Sequence, residues 1–366
     1  MQISLPMDGP DWFIQKRKEY WDEFEKIDLD LNLRYGLSLR FDLTGLDLTN
    51  IELTKSKIKV DCESFGFERL NEYEDFFMNN FIPNQDKFTL YHSSLLNNLV
   101  IIHIKEDKDI NLDIELYGKY HADHILIILE KNVKASIIEN IKGSCIFRTC
   151  VVEIYLKENA KLNYFALDDT NKRNNFVIYR GLIDKDSEFN ITSSLFSNGI
   201  NRMENSIVMN GENARGEIYN LYLGDENNRY DIYNAIVHGN KNCFSNMLSK
   251  GAVKDKAQTI HRGLIEIKKG FSGNNGYQKE EALILNDGAR ANAVPNLKID
   301  NDDVRCTHGV TISHLDNEKL FYLMSRGLDK KEATRNYLLG YFYPVLCKFP
   351  EKIREKIIER MYEKLK

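Results

Sequence analysis

Cys306 and His308 flank Thr307 in the run Asp302-Asp303-Val304-Arg305-Cys306-Thr307-His308-Gly309. In a β-strand, residues two apart project from the same face, so a thiol and an imidazole would stand side by side. That pairing suits iron or zinc. Two ligands do not close a site, and a metal would need others from elsewhere, such as another subunit. On spacing alone a structural thiol beside an ordinary histidine is the simpler account. Cys145 and Cys150 are five positions apart, which in one continuous strand puts them on opposite faces, and they read as core thiols. The neighbouring pairs Asp168/Asp169 and Asp302/Asp303 offer carboxylates of the kind used in acid–base hydrolysis. Adjacent aspartates point to opposite strand faces, however, and make poor dyads. The chain has no G-x-x-x-x-G-K-[ST] phosphate loop, G-x-S-x-G elbow, H-E-x-x-H or C-x-x-C pair, and so none of the common signatures of nucleotide hydrolysis, acyl transfer or zinc binding.

The elements that would position these residues follow from periodicity. Trp12, Phe13, Tyr20, Trp21 and Phe24 recur at helical spacing between Asp11 and Lys26, and Phe67 to Phe81 offers a second amphipathic helix. Leu29 to Ile58 looks extended. From about Phe88 the period changes to two, with strands at Leu99–Ile104, Leu112–Tyr117, Ile125–Leu129 and Val151–Leu156. Toward the C-terminus Asp316 caps a helix that ends near Gly327. Asp329 and Glu332 form a capping box for another, and Pro350 starts a last one over Glu351–Lys366.

The strands carry an internal repeat. A charged residue, then Asn or Asp, a small residue or Val, and a charged residue occur at Lys131–Lys134, Glu158–Lys161, Lys185–Glu188 and Glu212–Arg215. The step between them is 27 residues, and a degraded copy falls at Lys241. Four positions beyond each third residue stand Ile137, Tyr164, Ile191 and Ile218. A turn and a facing that return together predict a β-solenoid, each coil stacked on the last, whereas a sandwich would repeat neither in register. The repeated Asn and Asp are then corner residues without chemistry. The predicted class is mainly β: a parallel β-helix over 88–315, between an N-terminal helical or mixed region, 1–87, and a C-terminal helical region, 316–366. An open solenoid end exposes unpaired backbone, so a helical cap is expected at each end.

Composition agrees with one continuous array. The 366 residues carry 50 Lys+Arg against 55 Asp+Glu, which argues against disorder and against a basic nucleic-acid binder. Of 6 prolines, none falls between Pro83 and Pro295, as an unbroken hydrogen-bonded ladder requires. The 6 cysteines form no clustered framework, and 37 asparagines fit a chain with many turns. MQISLPMDGPDWF shows no basic segment followed by an apolar one, and no run approaches the ~18 apolar residues of a membrane span. A cytoplasmic protein, free of membrane and nucleic acid, is expected.

The stretch Ala291 to Tyr343 contains Pro295-Asn296-Leu297-Lys298-Ile299, the Asp302-Asp303-Val304 turn, Cys306-Thr307-His308-Gly309 and Leu320-Phe321-Tyr322-Leu323-Met324-Ser325-Arg326-Gly327. Together these resemble the C-terminal core of the SufB/SufD family, scaffold proteins of Suf iron–sulfur cluster assembly. His238-Gly239 and Arg262–Ile267 look similar too, and Arg40-Phe41-Asp42-Leu43 is a weaker echo. The resemblance implies a right-handed parallel β-helix between helical regions and dimers formed through that helix. It also implies an ABC-type ATPase, SufC, bound through the C-terminal helices, so that the missing phosphate loop belongs to a partner. The Cys-x-His-Gly form looks like the SufD branch, because SufB-like chains carry a Glu-His-Glu-Ala type sequence here. By resemblance, Cys306 and His308 match metal-ligating positions near the dimer interface. A transient iron–sulfur cluster or iron would be held there only in the complex, with further ligands from a SufB-like protein and none bound stably by this chain alone. Val310, Ile312 and Ser313 depart from the more usual Ala-Thr-Val-Gly run. The implied role is a scaffold, not an enzyme, with a homodimer as the other possible assembly. A β-helix polysaccharide lyase or hydrolase is the alternative, and a purely structural or adhesive solenoid a third reading.

Overall fold

The computed structural model describes residues 5–26, 51–83, 85–168, 170 and 174–366. Among them the repeat is a parallel β-solenoid of about eight turns, each contributing one strand to each of two sheets. The nine-stranded sheet comprises Lys57–Val60 (β1), Lys108–Leu116 (β3), Lys134–Gly143 (β5), Lys161–Asp168 (β7), Glu188–Leu195 (β9), Arg215–Gly224 (β11), Phe244–Val253 (β13), Asn274–Ile284 (β15) and Val304–His314 (β17). The eight-stranded sheet comprises Asn98–Ile104 (β2), Tyr120–Leu129 (β4), Phe147–Leu156 (β6), Asn174–Ile183 (β8), Ile200–Met209 (β10), Arg229–His238 (β12), Gln258–Ile267 (β14) and Arg290–Ile299 (β16). Among the described strands only β1 runs antiparallel to its neighbour, closing the first edge of its sheet against β3.

Lys134, Lys161, Glu188 and Arg215 stand in register on successive coils. The corner residues Asn132, Asn159, Asp186 and Asn213 take φ of 66°, 58°, 58° and 60°. Outside glycine this left-handed region is best tolerated by Asn and Asp, whose short polar side chains bond locally. Here they also bond between coils: Asn159 Nδ2 donates to Asn132 Oδ1, and Asn213 Nδ2 to Asp186 Oδ1, each at 2.9 Å across 27 residues. Ile137, Tyr164, Ile191 and Ile218 stack inside the solenoid. Each such burial contributes on the order of 1.5–3 kcal/mol. At the next turn the corner sits at Asn242, φ 57°, two residues beyond the Asn240 that the 27-residue step ending at Lys241 implies, because that coil is longer and Arg215 pairs with Phe244. Pro295 lies in β16, the terminal strand of its sheet, where a missing N–H on the open side breaks no ladder bond.

Helical regions clad opposite outer faces. Asp11–Lys26 (α1) and Lys87–Leu95 (α2) cover the eight-stranded sheet, Phe13 against Leu126, Ile128 and Tyr155, and Phe24, Phe88 and Tyr91 against Tyr120, Phe147 and Phe176. Asn317–Ser325 (α3), Lys330–Leu346 (α4) and Glu351–Lys364 (α5) follow the last strand. Leu338, Phe342, Val345, Ile353 and Met361 pack on Phe165, Leu167, Tyr219, Leu221 and Leu223, the outer face of the nine-stranded sheet. The caps form where the sequence places them: Asp316 accepts from the Glu318 and Lys319 N–H groups, and Asp329 and Glu332 cap reciprocally.

Three expectations change. The helix expected over Phe67–Phe81 is a 3-10 helix only, Phe67–Tyr73. Met78 then turns with φ 58°, and the Glu153 carboxylate accepts from the Met78 and Asn80 N–H groups at 2.6 and 3.0 Å, taking the place of helical carbonyls. The period-two region begins at Asn98, because Asp86 and Thr89 form a capping box that starts α2. The C-terminal helices do not cap the last coil, because their apolar stripe is spent on the flank of the nine-stranded sheet. Arg40–Leu43 and most of the segment expected to be extended lie outside the described residues.

Candidate metal site at the open end of the solenoid

β17 pairs with β15 so that Cys306 lies beside Gly276 and His308 beside Gln278. Strand alternation aims both side chains of β17 toward the solenoid interior. Cys306 is half-buried and packs on the central core, where burial pushes its thiol up to about 11 against the opposing pull of a backbone hydrogen bond from Thr307. His308 is exposed. The difference is geometric: β16 and β17 end their sheets, so inward-facing groups of the last coil meet solvent. Val310 and Ile312, the next inward-facing residues, are each 39% exposed.

A lane of buried polar side chains runs up the interior to this end. Asn220 Nδ2 donates to Ser193 Oγ at 2.6 Å, Asn205 Nδ2 to Asn234 Oδ1 at 2.8 Å, and Asn234 Nδ2 to Asn220 Oδ1 at 2.5 Å. His261 Nε2 lies 2.7 Å from Ser249 Oγ, and its Nδ1 2.9 Å from Glu280 Oε1. Gln278 Nε2 donates to the same Glu280 oxygen at 2.7 Å. The lane therefore ends one coil beneath Cys306 and His308.

Residues 114–341 match the SUF system FeS cluster assembly, SufBD core domain. The chain belongs to the SufBD family. Iron–sulfur cluster assembly protein SufD of Bacillus subtilis is 26% identical over 356 residues, 93% of this chain and 81% of that one. A SufBD family protein of Pyrococcus horikoshii is 27% identical over 300 residues, 77% of this chain and 66% of that one. One from Mycobacterium leprae is 29% identical over 203 residues, and the chain spans only 23% of its length. As a SufBD family member, this chain is an iron–sulfur cluster assembly protein.

Not every residue weighed for this SufBD chain joins the site. Cys145 and Cys150 share one core, because Cys145 occupies a corner before β6 and does not continue its strand. Asp168 is buried and accepts from Thr170 Oγ1 at 2.9 Å, Asp302 and Asp303 lie exposed in the turn before β17, and Asp169 falls outside the described residues. Among the described residues no three His, Cys, Asp or Glu side chains group to hold a metal ion. His238 is a buried structural histidine, 2.8 Å from Ser245 Oγ and 3.2 Å from Asn274 Oδ1.

Sequence reading missed two buried networks. Glu153, His124 and His92 form a hydrogen-bonded chain under the N-terminal region, 2.9 and 3.2 Å apart in turn. Arg148 donates to Asp123 at 3.0 Å inside the solenoid. The signal in the sequence is polar residues within the otherwise apolar strands β4 and β6, and His92 on α2 carries none. On α3, the helix that follows β17, Phe321 and Tyr322 are 72% and 58% exposed and form an aromatic patch. No helix among the described residues is long and apolar enough to cross a membrane.

Proposed function

We propose that this chain is a SufD-type scaffold subunit, which pairs with a SufB-like protein and is worked by a SufC-type ABC ATPase. It offers Cys306 and His308 as ligands to an iron–sulfur cluster, or to iron, held transiently between subunits. The observation that carries the reading is a thiol and an imidazole on the inward face of a last coil that no other described residues cover. Two ligands leave a cluster's remaining positions to a partner docked on the same edge. The aromatic patch on α3, within the region 316–366, is the surface assigned to the ATPase. The protein performs no turnover of its own, and its setting is the cytoplasm. A homodimer through the same edge is the competing assembly.

Anaerobic reconstitution with iron and sulfide tests this. Absorbance and Mössbauer spectra should report a cluster when the SufB-like partner and the ATPase are present and none with the chain alone. His308→Ala should abolish that signal while a pull-down still recovers the ternary complex. Undiminished cluster formation in His308→Ala would remove the site assignment.

A further inference from the structure

Gln278 and Glu280 are buried polar residues one coil beneath the open end, on the same inward face as His308. Their side chains lie against Gly263 of β14, where an added Cβ would stand 1.9 Å from Gln278 Nε2 and 2.4 Å from Glu280 Oε1. Only a glycine leaves room for this pair. Gln278 commits its Nε2 to Glu280 Oε1, which turns its amide oxygen the other way. That oxygen, Gln278 Oε1, has no hydrogen-bond partner among the described residues, and neither has Glu280 Oε2. A buried acceptor left unmade costs about 1–3 kcal/mol, so an arrangement holding two of them calls for a donor.

The next coil supplies one. His308 is the register partner of Gln278, at the ~4.8 Å spacing of neighbouring strands. A histidine that binds metal through one nitrogen characteristically gives its other N–H to a carbonyl or carboxylate, which fixes the ring and its tautomer. We infer that Gln278, held by Glu280 in the space beside Gly263, is the positioning residue for His308. Its amide oxygen accepts from one ring N–H and leaves the other nitrogen facing the open end as a lone-pair donor. The inference rests on the ligand role proposed above, but its central claim concerns this chain alone.

The experiment is two-bond nitrogen–proton correlation NMR on the full chain labelled with 15N-histidine, with His308 assigned by its loss in His308→Ala. In its neutral form, His308 of the wild type should show one tautomer. In Gln278→Leu the tautomer ratio should move at least fivefold toward an even mixture, the factor that about 1 kcal/mol of hydrogen bonding sets. Unchanged signals from the buried histidines report that the fold is intact. Gln278→Met, flexible and closer in volume, serves if the Leu variant does not fold. A tautomer mixture in the wild type, or a ratio that neither variant alters, overturns the inference. Cluster formation that survives His308→Ala would instead defeat the ligand role and leave the tautomer result standing.

Discussion

Cys306 Sγ stands 3.3 Å from the point where a Cβ on Gly276 would be, one coil below it. Ser245 Oγ and the Ile265 side chain close in on the same point at 3.1 and 3.2 Å. The glycine is thus the seat on which the thiol rests. Gly276→Ala should overpack this corner and cost about 1–3 kcal/mol, read as a lower urea midpoint with unchanged slope.

The edge of the last coil should be separable from the fold. Ile312 lies on β17, is exposed, and faces the open end. A lysine on an open edge discourages strand-to-strand docking. Ile312→Lys should abolish recovery of the SufB-like partner in a pull-down, at a cost of about 1 kcal/mol in unfolding free energy from the partly covered side chain it replaces, too little to unfold the chain. A retained complex would place docking elsewhere.

Phe321 tests the other surface. As an exposed aromatic on α3 it has little to lose in the free chain. Phe321→Ala should weaken ATPase binding by about 2 kcal/mol if it is an interface anchor, roughly thirtyfold in Kd. Calorimetric titration with the ATPase measures this, and binding of the SufB-like partner should not change.

His238 makes acid stability measurable. Burial lowers its imidazole from 6.5 to about 4, with the Asn274 hydrogen bond opposing. The unfolded chain therefore binds a proton that the folded chain refuses between those two values. The neutral histidine's contribution is complete above 6.5, is lost as pH falls from 6.5 to 4, and changes no further below 4. The loss is on the order of 3 kcal/mol. Urea titrations at pH 7, 5.5 and 4 should show this fall in the wild type and a smaller one in His238→Gln.

The solenoid was legible because its corners are chemically exacting. Asn132, Asn159, Asp186 and Asn213 must all adopt left-handed backbone, so each turn repeats its residue types at a fixed step. The helix caps were legible for the same local reason, since Asp316 and Asp329 bond to N–H groups two or three residues on. Cys306 and His308 could be set on one strand face from their spacing. The residues beneath them could not, because Gln278 and Glu280 become neighbours of His308 only through the register of β15 with β17.

The sequence by itself determined the coil, its corners, the proline-free ladder and the pairing of a thiol with an imidazole, because each depends on interactions within a few residues or on one repeated step. Only the tertiary structure decided where the apolar faces of the flanking helices go. An amphipathic stripe requires burial but does not name the surface that buries it. Here that surface is the flank of the nine-stranded sheet, and Leu338, Phe342 and Met361 are used there. The last coil is left uncovered as a result, and the inward-facing His308 is open to solvent.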